Sequence, residues 1–182
     1  MNVENMLNDV LKKSWNLFKN QYVALIIGTL IGIIGMIFII TIPPLVFGIY
    51  FMCINAAKGK KVEISDVFSG FDYFFTSWGM FILMFIALTI GFTLLVIPGI
   101  LLTIMFGYAI AVAITEKKGA FKSLERSYEI AKKNFSFSLM LWIIVAIVNF
   151  IGVALQIGVI VSIPFTILCI CVANNKLNTK KK

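Results

Sequence analysis

Three long apolar stretches alternate with four short charged segments along the chain. Residues 20–57, 73–115 and 134–175 contain no Asp, Glu, Lys or Arg. A stretch of about 18 or more apolar residues is typical of a membrane-spanning helix. Each stretch is too long for one span, because a helix of about 40 residues would be about 60 Å long, twice a hydrocarbon core of about 30 Å. Tilt cannot absorb that excess, so each stretch predicts two spans joined by a short turn.

Proline and glycine indicate where the turns and kinks lie. These residues are Pro43 and Pro44 in the first stretch, Pro98 and Gly99 in the second, and Pro164 in the third. The turns are predicted at 41–44, at 97–99 and near 153–158, and Pro164 is interpreted as a kink or a first-turn proline. The helix from Pro43 to Ala57 is short for a span, so a partly re-entrant helix buried among its neighbours is the alternative there.

The charged segments have the 3.6-residue periodicity of amphipathic helices. Residues 3–18, 64–78 and 119–135 each place apolar side chains on one face and charged side chains elsewhere. Such helices are predicted to lie in the membrane interface, with the apolar face among acyl chains and the cations near headgroups.

The chain therefore repeats one unit three times: an interfacial helix, a span, a tight turn and a return span. The units cover about 1–57, 58–115 and 116–175 of one membrane domain and are followed by a basic tail, 176–182. The repeat is one of architecture, since no fixed sequence period accompanies it.

Composition and charge agree with this arrangement and give it an orientation. Hydrophobic residues make up 60% of the chain and charged residues 13%, against about 45–50% and about 25% in soluble globular proteins. With two spans per stretch, all 16 Lys and Arg residues lie on one side of the membrane; with one span per stretch they would divide almost evenly. The positive-inside rule then favours six spans with both termini in the cytoplasm.

The predicted spans offer few groups for catalysis or proton transfer. They contain no Asp, Glu, Lys, Arg or His, which disfavours an enzyme and a proton-coupled transporter. Cys53, Cys169 and Cys171 are interpreted as small buried hydrophobic residues rather than a disulfide or metal pair. Asn149 and Gln156 are interpreted as helix contacts, with a substrate site as the alternative. No catalytic, cofactor or metal site is predicted.

The third charged segment carries the densest group of cations. They are Lys117, Lys118, Lys122, Arg126, Lys132 and Lys133. They can act as topology determinants with a general attraction for anionic lipid, as a docking surface for an acidic partner protein, or as a defined headgroup pocket that uses the first four of them. Nucleic-acid binding is not predicted, because no recognition motif is present and topology accounts for the charge.

Several short strings resemble one membrane-protein family. They are WNLFKN at 15–20, VEISDVFSGF at 62–71, LLVIPG at 94–99, EKKGA at 116–120 and SLERSYEIAKKNF at 123–135. The family is prokaryotic, of undefined function, and related to the membrane domain that accompanies glycerophosphoryl diester phosphodiesterases in some bacteria. The resemblance implies a six-helix integral membrane domain that faces the cytoplasm. It implies no phosphodiesterase activity, because the family's catalytic module is a separate soluble barrel, and no catalytic residue carries over.

The pattern and the resemblance together predict a multi-pass protein of a prokaryotic plasma (inner) membrane. The expected function is that of a non-enzymatic, lipid-interacting scaffold or accessory subunit that acts through its basic cytoplasmic face. The expected partners are membrane lipids, anionic ones first, with a membrane protein or a second copy as alternatives. The alternative function is a small transporter or lipid-translocating protein, as a monomer or a homo-oligomer.

Overall fold

The computed structural model describes residues 3–155 and 158–179, and this part of the chain is helical, with no strand. The α-helices are α1 (Val3–Gly35), α2 (Ile42–Ala57), α3 (Phe74–Leu94), α4 (Val96–Phe106), α5 (Ala109–Glu116), α6 (Ala120–Lys133), α7 (Phe135–Ala154) and α8 (Val159–Thr179). A short 3₁₀ turn covers Ile39–Thr41, and a longer 3₁₀ segment, called the 3₁₀ helix below, covers Ile64–Tyr73.

Six helical stretches are long and apolar enough to cross a membrane. They are Val3–Gly35, Ile39–Ala57, Ile64–Thr93, Val96–Glu116, Phe135–Ala154 and Val159–Asn178. By length and composition, the prediction of an all-α chain with six candidate spans is confirmed. The protein therefore has the helices of a multi-pass membrane protein.

Proline begins the return helices instead of forming the turns before them. The chain turns at 36–41, and Pro43 and Pro44 lie in the first turn of α2. Leu95 is extended (φ −166°, ψ 151°), so Pro98 and Gly99 lie in the first turn of α4 and not in the preceding turn. The predicted turns were thus placed a few residues too late. The physical reason is that the first N–H groups of a helix have no partner within it, so proline loses nothing there.

The break in the third stretch lies where it was predicted, near 153–158. Helix α7 ends at Ala154 and α8 begins at Val159. Gln156 falls in this interval and lies outside the described residues. Pro164 lies inside α8 and not in its first turn, so the first-turn interpretation is wrong and the kink stays a prediction.

Each charged segment meets the following long helix at one residue outside the α-helical region. These residues are Gln21 (φ −134°, ψ 23°), Tyr73 (φ −105°, ψ 21°) and Asn134 (φ −124°, ψ 44°). An aromatic residue follows each of them. The Gln21 side chain also accepts a hydrogen bond from the Val62 amide (2.6 Å) and donates one to the Lys60 carbonyl (2.9 Å). The shared backbone geometry is in keeping with three repeated units.

The charged segments form a closed ring of contacts between the units. The N-terminal arm of α1, residues 3–20, packs on α8: Lys176 donates to the Asp9 carboxylate, and the Phe18 and Phe165 rings meet edge to face at 6.0 Å. The 3₁₀ helix packs on α2, and α6 packs on α4 and α5. Each charged segment therefore contacts the return helix of a different unit: the first segment contacts that of the third unit, the second that of the first, and the third that of the second. The contact between α1 and α8 closes this ring.

The predicted apolar faces of these segments are covered by protein only in part. Phe68 and Phe75 of the second segment are 54% and 89% exposed, so the prediction that acyl chains cover these faces is wrong for the buried positions only. Val10, Val67 and Ala131 have no exposed surface, and Leu124 is buried. The segment predicted as one helix over 64–78 is a 3₁₀ helix up to Tyr73 and an α-helix beyond it. Periodicity identifies the apolar face of a helix but does not distinguish lipid from protein as its cover.

The centre of the ring is formed by α2, α5 and α8, which contact one another. Met52, Cys53, Val112, Leu168 and Ala173 are fully buried there. The outer helices are much less covered by protein. In the most apolar part of α7, an outer helix, 22% of the residues are buried, against 50% in the central helix α8. The best-packed part of the molecule is therefore the set of return helices, and the charged segments surround it.

Candidate functional site

The cations predicted as a functional face lie on α6 and on the loop before it. Lys117 has a left-handed backbone (φ 51°), which lets the chain turn sharply from α5 into α6. The side chains of Lys117, Lys122, Lys132 and Lys133 are exposed. The Lys132 ammonium lies 5.7 Å from the centre of the Tyr128 ring, in the range of a cation–π contact.

Arg126 and Lys118 serve the fold instead of the free face. Arg126 lies 3.5 Å from the Glu116 carboxylate and 2.9 Å from that of Glu129, and it donates to the Asn178 amide oxygen at 3.1 Å. Lys118 pairs with Glu116 at 2.6 Å. The network joins the ends of α5 and α8 to α6. The predicted set of six cations is thus divided into Arg126, which links α6 to the ends of α5 and α8, Lys118, which pairs with a carboxylate two residues away, and four lysines that face outward.

The outward lysines have no carboxylate partner in the described part of the chain. Ion pairs there involve only Lys118, Arg126 and Lys176 among the cations. The outward lysines make no ion pair with any described residue, and an exposed pair would add only about 0–1 kcal/mol of stability. They are therefore not needed to hold α6 in place. Their positive charge is available to an external anion.

An interruption in the fourth candidate span is stabilised by a residue that sequence reasoning missed. Helix α4 ends at Phe106 and α5 begins at Ala109, so Gly107 and Tyr108 break the span. The fully buried Ser127 hydroxyl of α6 accepts a hydrogen bond from the Tyr108 amide (3.1 Å) and donates one to the Met105 carbonyl (2.7 Å). These bonds satisfy backbone groups that the break releases.

A sequence signal for Ser127 existed. Ser127 follows Leu124 by three residues and precedes Ala131 by four, so it lies on the inner face of α6. A hydroxyl on the inner face of an amphipathic helix needs a hydrogen-bond partner once it is buried. The Tyr108 hydroxyl provides a second link, because it hydrogen-bonds to Ser138 of α7 at 3.1 Å.

Asn149 and Thr103, two polar residues within the candidate spans, form hydrogen bonds inside the bundle. The Asn149 amide donates to the Thr166 hydroxyl at 3.3 Å and so connects α7 to α8. The Thr103 hydroxyl donates to the Gly99 carbonyl at 2.9 Å. Helix α7 ends before Gln156, so Asn149 and Gln156 do not share one described helix. The helix-contact interpretation of Asn149 therefore has a specific partner.

The three cysteines lie in the central helices. Cys53, Cys169 and Cys171 are buried and unbridged. The Cys53 thiol lies 3.6 Å from the Pro164 carbonyl, across the contact between α2 and α8. Within residues 3–155 and 158–179, no group of three or more His, Cys, Asp or Glu side chains is arranged to hold a metal ion.

Comparison with known proteins gives no relative: no family model matches the chain, and no curated protein or solved structure matches it. The resemblance to the membrane family related to the phosphodiesterase-associated domain therefore stays a prediction.

Proposed function

We propose that the protein is a non-enzymatic, lipid-interacting scaffold or accessory subunit whose working surface is its basic face. The observation that carries the proposal is the set of outward lysines, Lys117, Lys122, Lys132 and Lys133, which have no carboxylate partner among the described residues. Lysines at a membrane surface attract anionic lipid by about 1 kcal/mol each. A basic face beside six apolar helices is therefore suited to anionic phospholipid.

The proposed topology has three helical hairpins, with both termini and all charged segments in the cytoplasm of a prokaryotic cell. Close contacts within each unit support it. Gly35 lies against Leu45, the Cα atom of Gly99 lies 3.2 Å from where a Cβ on Gly91 would be, and Gly152 lies against Ser162. Each of these contacts joins the two long helices of one unit near their connection, as antiparallel neighbours require. The contacts of Gly70 with Pro44 and of Trp78 with the Ile40 carbonyl (3.1 Å) bring the start of the second unit to the first turn, which favours the re-entrant alternative for α2.

The topology is tested by labelling introduced cysteines from outside intact cells with a membrane-impermeant maleimide. In a chain without its three native cysteines, Ile97→Cys is expected to react, because this residue near the second turn is 71% exposed. Ile39→Cys, at a position that is 76% exposed, distinguishes a spanning α2, which leaves it reactive from outside, from a re-entrant α2, which protects it. Lys60→Cys and Lys122→Cys are expected to react only after the cells are opened. The reverse pattern would overturn the orientation. Gly99 is unsuitable for labelling, because a Cβ there would lie 2.5 Å from the Phe92 ring.

The function is tested by neutralising the outward lysines. The variant Lys117→Gln, Lys122→Gln, Lys132→Gln, Lys133→Gln is expected to retain several-fold less phosphatidylglycerol relative to phosphatidylcholine after purification from mixed lipids, measured by native mass spectrometry. The matched control removes the same charge elsewhere, at Lys12, Lys13, Lys58 and Lys61. If the four-lysine variant retains as much phosphatidylglycerol as the unaltered protein, with unchanged co-purifying proteins, the basic face is refuted as the working surface.

A small transporter is the second candidate, and the interruption of the fourth candidate span at Gly107 and Tyr108 favours it. Broken helices surround the substrate sites of many transporters. However, Ser127 occupies the backbone groups of Met105 and Tyr108 that the break frees. Substrate flux in proteoliposomes that is lost in Gly107→Ala and kept in the lysine variant would establish the transporter in place of the scaffold.

A further inference from the structure

The first and third charged segments share a sequence as well as a place in the fold. Residues 11–22 (LKKSWNLFKNQY) align without a gap to residues 124–135 (LERSYEIAKKNF), with three identical and five conservative positions. The alignment pairs Gln21 with Asn134, the residues at which each segment meets its long helix outside the α-helical region. The other pairs include Ser14 with Ser127, Trp15 with Tyr128, and Lys19 with Lys132. The two segments are therefore copies of one element.

The two copies present the same pair of side chains on their outer faces. Trp15 and Tyr128 are 49% and 41% exposed. The Lys19 ammonium lies 5.8 Å from the centre of the Trp15 ring, and the Lys132 ammonium lies 5.7 Å from the centre of the Tyr128 ring. Both distances are in the range of a cation–π contact. Each copy thus carries a half-exposed aromatic ring with an ammonium group over it, called a ring–lysine pair below.

The distribution of charge gives the ring–lysine pairs a depth in the membrane. Lys19 is the last charged residue before the uncharged stretch 20–57, and Lys132 and Lys133 directly precede the stretch 134–175. Charged side chains are costly in the hydrocarbon core, so the proposed topology places both pairs where the chain enters the membrane. Tryptophan and tyrosine are enriched at this level. The pairs are therefore at the depth of lipid phosphate and glycerol groups.

The ammonium groups of both pairs are available to an anion. Neither Lys19 nor Lys132 forms an ion pair within residues 3–155 and 158–179. A ring below the ammonium leaves N–H groups free to donate to a phosphate, and such bonds to a charged acceptor are strong. The ring contact also restricts the long side chain beforehand, so less conformational entropy is lost when an anion binds.

We propose that the Trp15–Lys19 and Tyr128–Lys132 pairs are two equivalent binding sites for the headgroup of an anionic phospholipid. The lysine donates to the lipid phosphate, and the ring packs against the glycerol group and the first acyl carbons. This proposal rests on the proposed lipid-interacting function and deepens it, because it assigns that function two sites of one kind and extends it to the first charged segment.

The second charged segment has different side chains at these positions. Aligned at Tyr73, where it meets α3, it has Val67 in place of the aromatic ring and Phe71 in place of the lysine. Val67 is buried, and the next residue after Phe71 is the exposed Asp72, which would repel an anionic headgroup. The expected number of these sites is therefore two and not three.

Trp15 reports on the first site directly, and Tyr128→Trp gives a matching reporter for the second. Each reporter protein has phenylalanine in place of its other tryptophans, which are Trp78 and Trp142 and, for the second reporter, also Trp15. Each is titrated in detergent micelles with phosphatidylglycerol or phosphatidylcholine that is brominated near the carbonyl end of the acyl chains and so quenches nearby tryptophan. We expect saturable quenching, with phosphatidylglycerol effective at a concentration lower by about fivefold.

Each lysine should act on its own site. Lys19→Gln is expected to remove the preference at the Trp15 reporter and to leave the Tyr128→Trp reporter unchanged, and Lys132→Gln should do the reverse. Lys13→Gln is the matched control, because Lys13 is an exposed lysine of the same segment and lies on a different face of the helix from Lys19. Millimolar glycerol 3-phosphate is expected not to displace the brominated lipid, which distinguishes a lipid from a soluble phosphate.

The outcomes separate these sites from the broader function. Equal quenching by both lipids at either reporter, or an equal effect of Lys19→Gln and Lys13→Gln, overturns the paired sites. Displacement by glycerol 3-phosphate overturns a lipid as the ligand. The four-lysine variant leaves Lys19 in place, so failure at the Trp15 reporter does not decide the lipid retention test.

A second measurement applies if a reporter protein elutes as an aggregate. Native mass spectrometry then counts phosphatidylglycerol bound to the protein with all its tryptophans. Two retained lipids are expected, and one after either Lys19→Gln or Lys132→Gln. A count that neither substitution changes overturns the proposal.

Discussion

Replacing Gly48 by alanine is expected to destabilise the protein by about 3 kcal/mol or more, at or above the upper end of the usual cost of overpacking. A Cβ on Gly48 would lie 1.7 Å from the Val67 carbonyl oxygen and 3.0 Å from its Cα atom. The obstruction is backbone, so no side-chain rotation relieves it, and the 3₁₀ helix must move away from α2. The other side of this contact is equally tight, because a Cβ on Gly70 would lie 1.8 Å from the Pro44 carbonyl oxygen.

The sign of this prediction is informative, because helix propensity acts in the other direction. Alanine favours a helix over glycine by about 1 kcal/mol, so an unpacked Gly48 would make the variant more stable. The measurement is the midpoint of thermal unfolding in detergent, followed by circular dichroism and by the monodisperse fraction. Gly79→Ala is the matched control, because Gly79 also lies inside a helix and a Cβ there would meet only the Ala120 side chain, at an ordinary contact distance of 3.4 Å. A Gly48 variant as stable as this control would show that the 3₁₀ helix does not pack on α2.

Replacing Ser127 by alanine is expected to be the second most damaging change. It removes two hydrogen bonds and leaves the Met105 carbonyl and the Tyr108 amide without their partner inside the bundle. A buried polar group left unpaired costs about 1–3 kcal/mol, so a loss of about 2–4 kcal/mol is expected when the break relaxes in part. Hydrogen exchange should locate the effect, with faster exchange of the Tyr108 amide and little change in α7.

Ser136→Ala provides the control for this prediction. Ser136 lies at the start of α7 and is exposed, so the same loss of a hydroxyl should change the unfolding midpoint very little. If Ser127→Ala matched Ser136→Ala in both stability and exchange, α6 would not stabilise the interruption between α4 and α5. In that case the break would depend on Gly107 alone.

The number of candidate spans could be predicted from the sequence, because charge is excluded from the hydrocarbon core and its spacing therefore counts the crossings. The break between α7 and α8 was placed correctly, because Gly152 and Gly158 lie near the middle of the third stretch. Turn positions were less accurate, since Pro43 and Pro98 are compatible with a turn and with the first turn of a helix. Local sequence does not distinguish these two settings.

The contacts of the charged segments could not be predicted, because they are made at long range. The periodicity of residues 3–18 shows that Val10 and Phe18 share a face, but nothing local shows that α8 covers it. The contact of Gly48 with Val67 left no distinct signal either, since glycine is frequent in membrane helices. Of the predicted cations, Arg126 became structural because Glu116 and Asn178 converge on it from two other helices.

The ring of contacts also sets an order of assembly. Asp9 and Lys176 are 167 residues apart in sequence, and a ribosome adds about 5–20 residues per second, so the arm of α1 waits on the order of ten seconds for its partner on α8. During that time its apolar face, including Val10 and Phe18, needs a substitute cover, and an amphipathic helix can find one in the membrane interface. The arm is thus suited to lipid before α8 is made and to protein afterwards, and the contact that closes the ring forms last.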